Sequence, residues 1–175
     1  MRKKILAVVL LVVTLAGAGL ALWWPGRAEA DELRGKVVGI SDGDTATVLV
    51  AGAPVKVRLW GIDAPEKAQA FGQRSKQALS DLAFGKEIVV EVRGHDRYGR
   101  TLGLLRVGGL HVNHAMVRAG MAWWYQQYAP KALDLQAAEL AARKAGVGLW
   151  RDVAPEAPWL FRRTQREARS AAPAP

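Results

Sequence analysis

Five short apolar stretches with strand character, one helical segment after the third and two more after the fifth, predict a predominantly β, α+β chain. That order fits a five-stranded Greek-key barrel of the OB type with three packed helices. Residues 33–40, 45–51 and 55–61 supply the first three strands, with Gly52 at the turn between the second and third. The third is the clearest, because Val55, Val57 and Leu59 alternate with Lys56, Arg58 and Trp60, the period of a half-buried strand. Arg58 therefore projects from the face opposite the aliphatic residues. Phe71, Ala78, Leu79 and Leu82 recur at helical spacing and predict a helix over 67–83, stopped by Gly85. Residues 87–93 and 101–107 form the fourth and fifth strands, joined by Gly94-His95-Asp96-Arg97-Tyr98-Gly99. Val112, Ala115, Met116 and Ala119 mark a short helix ended by Gly120, and a third helix spans 132–144 with Glu139 and Arg143 as an i,i+4 pair.

The barrel and its helices occupy residues 31–152 of the 175, between an apolar leader and a basic tail. In the leader, residues 1–30, Arg2, Lys3 and Lys4 precede an apolar run from Ile5 to Trp24 that Pro25 and Gly26 break. Ala28-Glu29-Ala30 then offers small residues at the positions a signal peptidase reads. Cleavage after Ala30 yields a secreted or periplasmic domain; alternatively, residues 5–24 are long enough to remain in the bilayer as a signal/anchor helix and membrane tether, with Trp23 and Trp24 at its interface. Both readings export the remainder. Residues 153–175 read as a basic helix over 158–169 and a frayed Ala/Pro tail.

The formal charge is +9 and the isoelectric point near 10.3. Such a balance favours phosphate-bearing partners or anionic membranes and says little about fold. Arg2, Lys3, Lys4, Arg27 and Glu29 would leave with the leader, and the rest stays basic. There is no cysteine, which excludes a disulfide framework, a Cys-ligated zinc site and thiol catalysis.

Three charged clusters follow one another along the barrel sequence, and each has an ordinary structural reading. Asp42-Gly43-Asp44-Thr45 is a turn in which Asp caps its own backbone and Gly takes positive φ. Asp63-Ala64-Pro65-Glu66 resembles a helix start, with Asp63 as N-cap and Glu66 completing a capping box. Asp96-Arg97-Tyr98-Gly99-Arg100 is a polar hairpin loop. Their combination has a chemical reading as well. Hydrolysis of a phosphodiester needs a hard cation, a group that handles water, and positive charge on the developing phosphorane. Asp44 and Asp63 are hard oxygen ligands, Glu66 is placed to act on water nearby, and Arg58 and Arg100 carry planar forks that match phosphate.

Together with Arg58-Leu59 ahead of the second cluster and Gly148-Leu149-Trp150 after the third, these clusters resemble the ordered signature of the thermonuclease (micrococcal-nuclease-like) family, over about Lys36 to Trp150. The resemblance implies an OB barrel with three packed helices and calcium-dependent cleavage of DNA and RNA, single-stranded or unpaired, leaving 3′-phosphate and 5′-hydroxyl ends. By that resemblance, Asp44, Asp63 and the main-chain carbonyl of Ala64 hold Ca²⁺. Glu66 is the general base, Arg58 and Arg100 grip the phosphate, and Asp42 supports the metal site from behind. Tyr98 and Tyr128 lie near the bound nucleotide. Ala64 stands where the type member has Thr, and the segment between Glu66 and the first helix is shorter than the type member's loop. A monomer is expected. The rival reading is a non-catalytic OB module of the envelope that binds nucleic acid or protein.

Other features have plainer expectations. His111 and His114 lack a third ligand. Trp123, Trp124 and Tyr125 belong to the core, and Arg162, Arg163, Arg166 and Arg169 form a solvated helical face.

Overall fold

A computed structural model describes residues 31–171; the leader over 1–30 and the end of the Ala/Pro tail lie outside the described residues. Among those described, no helix is long and apolar enough to cross a membrane. In chain order the elements are β1 (Glu32–Asp42), β2 (Thr45–Val50), β3 (Ala53–Leu59), β4 (Ile62–Asp63), α1 (Gly72–Ala83), β5 (Glu87–His95), β6 (Thr101–Val107), β7 (Leu110–His111), α2 (Val112–Arg118), β8 (Trp123–Trp124), α3 (Leu133–Ala145), a 3-10 turn (Gly148–Arg151) and α4 (Pro158–Ala171).

β1, β2 and β3 form an antiparallel meander, β5 returns beside β1, and β6 pairs with β5. A parallel pairing of β3 with β6 closes the sheet. Five strands thus complete a closed mixed barrel in the order β1-β2-β3-β6-β5, the OB arrangement, with α1 connecting the third and fourth barrel strands. The expected β-dominant α+β fold is observed.

Alternation decides what fills the barrel. Val37, Ala46, Val48, Val57, Leu59, Ile88, Val90 and Leu105 are buried together, joined by Leu79 and Ala83 of α1, Met116 of α2 and Leu135 of α3. Burial of each Val, Leu, Ile or Met among them stabilises by about 1.5–3 kcal/mol relative to exposure. Asn113 of α2 ties the helices to the barrel. Its Nδ2 donates to the carbonyls of Trp60 (2.8 Å) and Gly103 (3.2 Å), and its Oδ1 accepts the Leu105 N–H at 2.9 Å.

Beside the barrel lies a second, aromatic cluster of Trp123, Leu149 and Ala157, flanked by Phe71, Trp150 and Trp159. Gly120 and Gly148 both have positive φ, and a Cβ on Gly120 would strike the Val147 carbonyl while one on Gly148 would strike the carbonyls of Gly120 and Ala119. This close approach lets the Leu149 N–H donate to the Gly120 carbonyl at 2.8 Å and seats Trp150 edge-on against Trp123, with ring centroids 4.5 Å apart. The expected Glu139–Arg143 pair forms at 2.7 Å. Glu139 also accepts the Trp124 N–H at 2.7 Å, so α3 clamps β8.

α1 begins at Gly72, later than the spacing predicts. Two turns intervene, with Gln69 N–H donating to the Glu66 carbonyl (2.9 Å) and Gly72 N–H to that of Gln69 (3.0 Å). Phe71, at the helix start, is in the left-handed conformation with φ 67°.

Candidate active site

The β1–β2 turn, the end of β3 and the two-residue strand β4 bring the expected carboxylates together. At the turn, the Asp44 N–H donates to Asp42 Oδ1 at 3.1 Å, so Asp42 caps the turn as its sequence suggests. Gly43 departs from expectation. Its φ is not positive; glycine is needed there for space, because a Cβ would collide with the Ser75 hydroxyl of α1 and with Ala64. Ser75 is buried, and its hydroxyl donates to the Met121 carbonyl at 2.6 Å.

The Asp44 side chain points inward. Its Oδ2 accepts the Ala64 N–H at 2.6 Å and its Oδ1 the Thr45 hydroxyl at 3.1 Å. Thr45 faces Arg58 across the β2–β3 ladder, which brings that guanidinium beside Asp44. Arg58 Nη1 lies 2.5 Å from Asp44 Oδ2, and Nη2 donates to Asp63 Oδ1 at 2.8 Å. Nη1 sits off the hydrogen-bond direction and is a buried donor without a satisfied bond. Asp63 is fully buried. Its backbone is fixed by β4 pairing with β8, Asp63 opposite Trp123, so the aromatic cluster positions this carboxylate.

Asp63 and Glu66 do not cap a helix. The Glu66 N–H is taken by Gln69 Oε1 at 3.2 Å, and both acidic side chains turn instead to an arginine that the sequence placed on a solvated face. Arg162 of α4 donates from Nη2 to Asp63 Oδ2 at 2.7 Å, and from Nη1 to Asp63 Oδ1 at 3.2 Å and to Glu66 Oε1 at 2.9 Å. The Glu66 side chain remains 41 % exposed, within reach of solvent water. The one cue to Arg162 in the sequence is its place three residues after Trp159, on the helix face that docks.

Burial raises the Asp44 carboxyl to about 7, with Asp42 and Asp63 adding to the rise and Arg58 and the Ala64 N–H opposing it. For Arg58, burial disfavours the charge, but Asp44, Asp63 and Asp42 outweigh it and raise the pKa. The same opposition holds at Arg162, where burial is outweighed by Asp63 and Glu66. Tyr125, beside this pair, is raised by burial and then by Asp63.

The remaining expected residues stand apart from these contacts. Arg100, at the end of the β5–β6 loop, donates from Nε to Asp96 Oδ2 at 2.6 Å. Tyr98 is exposed beneath the guanidinia of Arg97 and Arg100, 4.9 and 5.8 Å from its ring centroid. Tyr128 is also exposed and tilts against Tyr125 with centroids 4.6 Å apart.

Among the described residues, no three His, Cys, Asp or Glu side chains are arranged to hold an ion. The donor set at the β1–β2 turn is of another kind: Asp44 and Asp63, two buried hard-oxygen carboxylates bridged by one guanidinium. It fits a hard cation that completes its shell from main-chain oxygen and water. The Arg58 guanidinium between the two carboxylates places a positive charge suited to an anionic oxygen beside that cation.

Residues 56–152 match the family model described as staphylococcal nuclease homologue. A Haemophilus influenzae protein named "Uncharacterized endonuclease" is 43% identical over 166 residues, 94% of this chain and 88% of its own. "Protein ParB" of Escherichia coli is 44% identical over 88% of this chain and 93% of its own. "Micrococcal nuclease" of Shigella flexneri is 44% identical over 78% and 84%. A closed OB barrel, the carboxylates gathered on Arg58 and a family match over more than half its length lead to one conclusion: the chain belongs to the staphylococcal nuclease family.

Proposed function

We propose that this protein is an exported, calcium-dependent nuclease that hydrolyses phosphodiester bonds of DNA and RNA, leaving 3′-phosphate and 5′-hydroxyl ends. The observation that carries the reading is the sharing of Arg58 by Asp44 and Asp63 in a buried cluster beside Glu66. A pure binding module has no use for that many carboxylates around its arginines. Relatives named as nucleases support the same class.

Asp44 and Asp63 are the cation ligands, with the Ala64 main chain beside them and Asp42 holding the turn that presents Asp44. Calcium bound there supplies positive charge to the phosphate and a place for the attacking water. Glu66 orients that water and accepts its proton, which its exposure allows. Arg58 contributes its guanidinium charge beside the phosphate oxygen on which charge develops. Arg100 reaches the same phosphate by exchanging Asp96 for it, and Tyr98 and Tyr128 offer exposed ring faces to unpaired bases.

Digestion of single-stranded DNA by the purified protein, with calcium and then with excess chelator, tests the reading. Cleavage only with calcium, leaving 3′-phosphate ends, is expected. A folded protein that cleaves under neither condition would favour the non-catalytic binding module.

A further inference from the structure

Arg162 has no part in the reaction as assigned, yet it grips the two acidic groups that the reaction needs most. Its fork makes a two-point contact with Asp63 and reaches Glu66 as well. With Arg58 on Oδ1, both Asp63 oxygens are engaged by guanidinia. A divalent ion and Arg162 present like charges to Asp63 Oδ2 and Glu66, which no other cation engages, so binding of one disfavours the other.

The contact is delivered by a docked element. Trp159 stacks on Tyr125 with planes 2° apart and meets Trp123 edge-on. Ala157 and Pro158 are buried, and Gln69 Nε2 donates to the Glu156 carbonyl at 2.6 Å. The root of α4 is therefore fixed while the Arg162 side chain, 35 % exposed, has a route to water; Arg58, at 13 %, has much less of one. Rotation about the Arg162 side chain frees Asp63 without undocking the helix.

We propose that Arg162 is a built-in competitor of the metal ion, occupying the cation side of Asp63 and Glu66 until calcium displaces it. This deepens the proposed function and rests on the reading that Asp63 holds the cation. The device neutralises buried Asp63 and its neighbour Glu66 when calcium is scarce and raises the calcium level at which the site assembles. A partly exposed pair is a weak lock, so calcium wins at moderate concentration. Linkage is reciprocal: if calcium expels Arg162, removing Arg162 tightens calcium.

The test is a calorimetric titration of the full-length protein with calcium alone, comparing wild type, Arg162→Gln, Arg162→Lys and Arg163→Gln. Arg163 is the charge control, because it lies next along the chain but pairs with Glu167 at 2.8 Å. Arg162→Gln is expected to bind calcium about threefold to tenfold more tightly. Arg162→Lys, which keeps the charge but loses the two-point grip, should fall between, and Arg163→Gln should match wild type. Equal affinity in wild type and Arg162→Gln overturns the proposal. So does weaker binding, which would make Arg162 a support for Asp63, and so does equal tightening in Arg163→Gln, which would reduce the effect to net charge. Binding by none of the four proteins overturns the cation site itself, and the proposal with it.

Discussion

The two arginines assigned to phosphate stand in opposite surroundings. Arg58 is set by the β2–β3 ladder, is 13 % exposed, and bridges Asp44 and Asp63. Arg100 closes a loop that satisfies itself: Asp96 accepts the Tyr98 N–H at 2.9 Å, the Arg100 N–H at 3.0 Å and the Arg100 Nε at 2.6 Å. Burial of Asp96 is slight, and these bonds hold its carboxyl below the usual range. One arginine belongs to the charge balance of the folded barrel, whereas the other is a tethered group that can be re-aimed. The buried half of the site is thus built by the fold, and the loop half is added to it.

The largest expected effect is on turnover at the buried half. Glu66→Gln keeps the shape and the Gln69 cap but cannot accept a proton, so kcat on single-stranded DNA should fall about a thousandfold with an unchanged melting temperature. Near wild-type turnover would remove Glu66 from the chemistry. Next, Arg58→Met and Arg100→Met sharpen the contrast in stability. In chelator, urea unfolding should show a loss of about 3–5 kcal/mol for Arg58→Met, which strands buried Asp44 and leaves Asp63 to Arg162 alone, and no more than about 1 kcal/mol for Arg100→Met. Equal losses would break the comparison. For catalysis, Arg100→Lys should lower kcat about a hundredfold, since a point charge cannot make a two-point phosphate contact.

A smaller effect concerns pH. The Asp44 carboxyl is raised from 3.8 to about 7 in the fold. The folded state therefore holds this proton more tightly than the unfolded chain. Its contribution to stability is full below about 4 and is lost as pH rises through 7. Calcium needs the ionised form, so the rise in melting temperature that calcium produces should be larger at pH 8 than at pH 5.5. The reverse order would contradict the burial of Asp44 as a protonated group.

The barrel was legible because each of its strands buries one face, and alternation such as Val55, Val57 and Leu59 records that directly. The local clusters were legible for a similar reason: Asp42, Asp44, Arg58 and Asp63 meet through a tight turn and a short excursion after β3. What periodicity could not reveal are contacts made by few residues across long separations. β4 and β8 are two residues each, yet their pairing fixes Asp63. Arg162 meets Asp63 across 99 positions, and only the docking of Trp159 distinguishes it from Arg163 and Arg166. The capping pattern at 63–66 misled because Gln69, not Glu66, reaches back to the backbone, which leaves both carboxylates free for charge. Between His111 and His114, the structurally decisive residue is Asn113, whose role depends on carbonyls of β6 and of the turn after β3.

The central claim is that the cation requirement is seated on the buried carboxylates beside Arg58. The most direct test is the rate of single-stranded DNA cleavage against free calcium for wild type and Asp63→Asn. Wild type should show saturable calcium dependence, and Asp63→Asn should stay at least about a thousandfold slower at every calcium concentration. Calcium-dependent cleavage by Asp63→Asn at a rate near wild type would contradict the account.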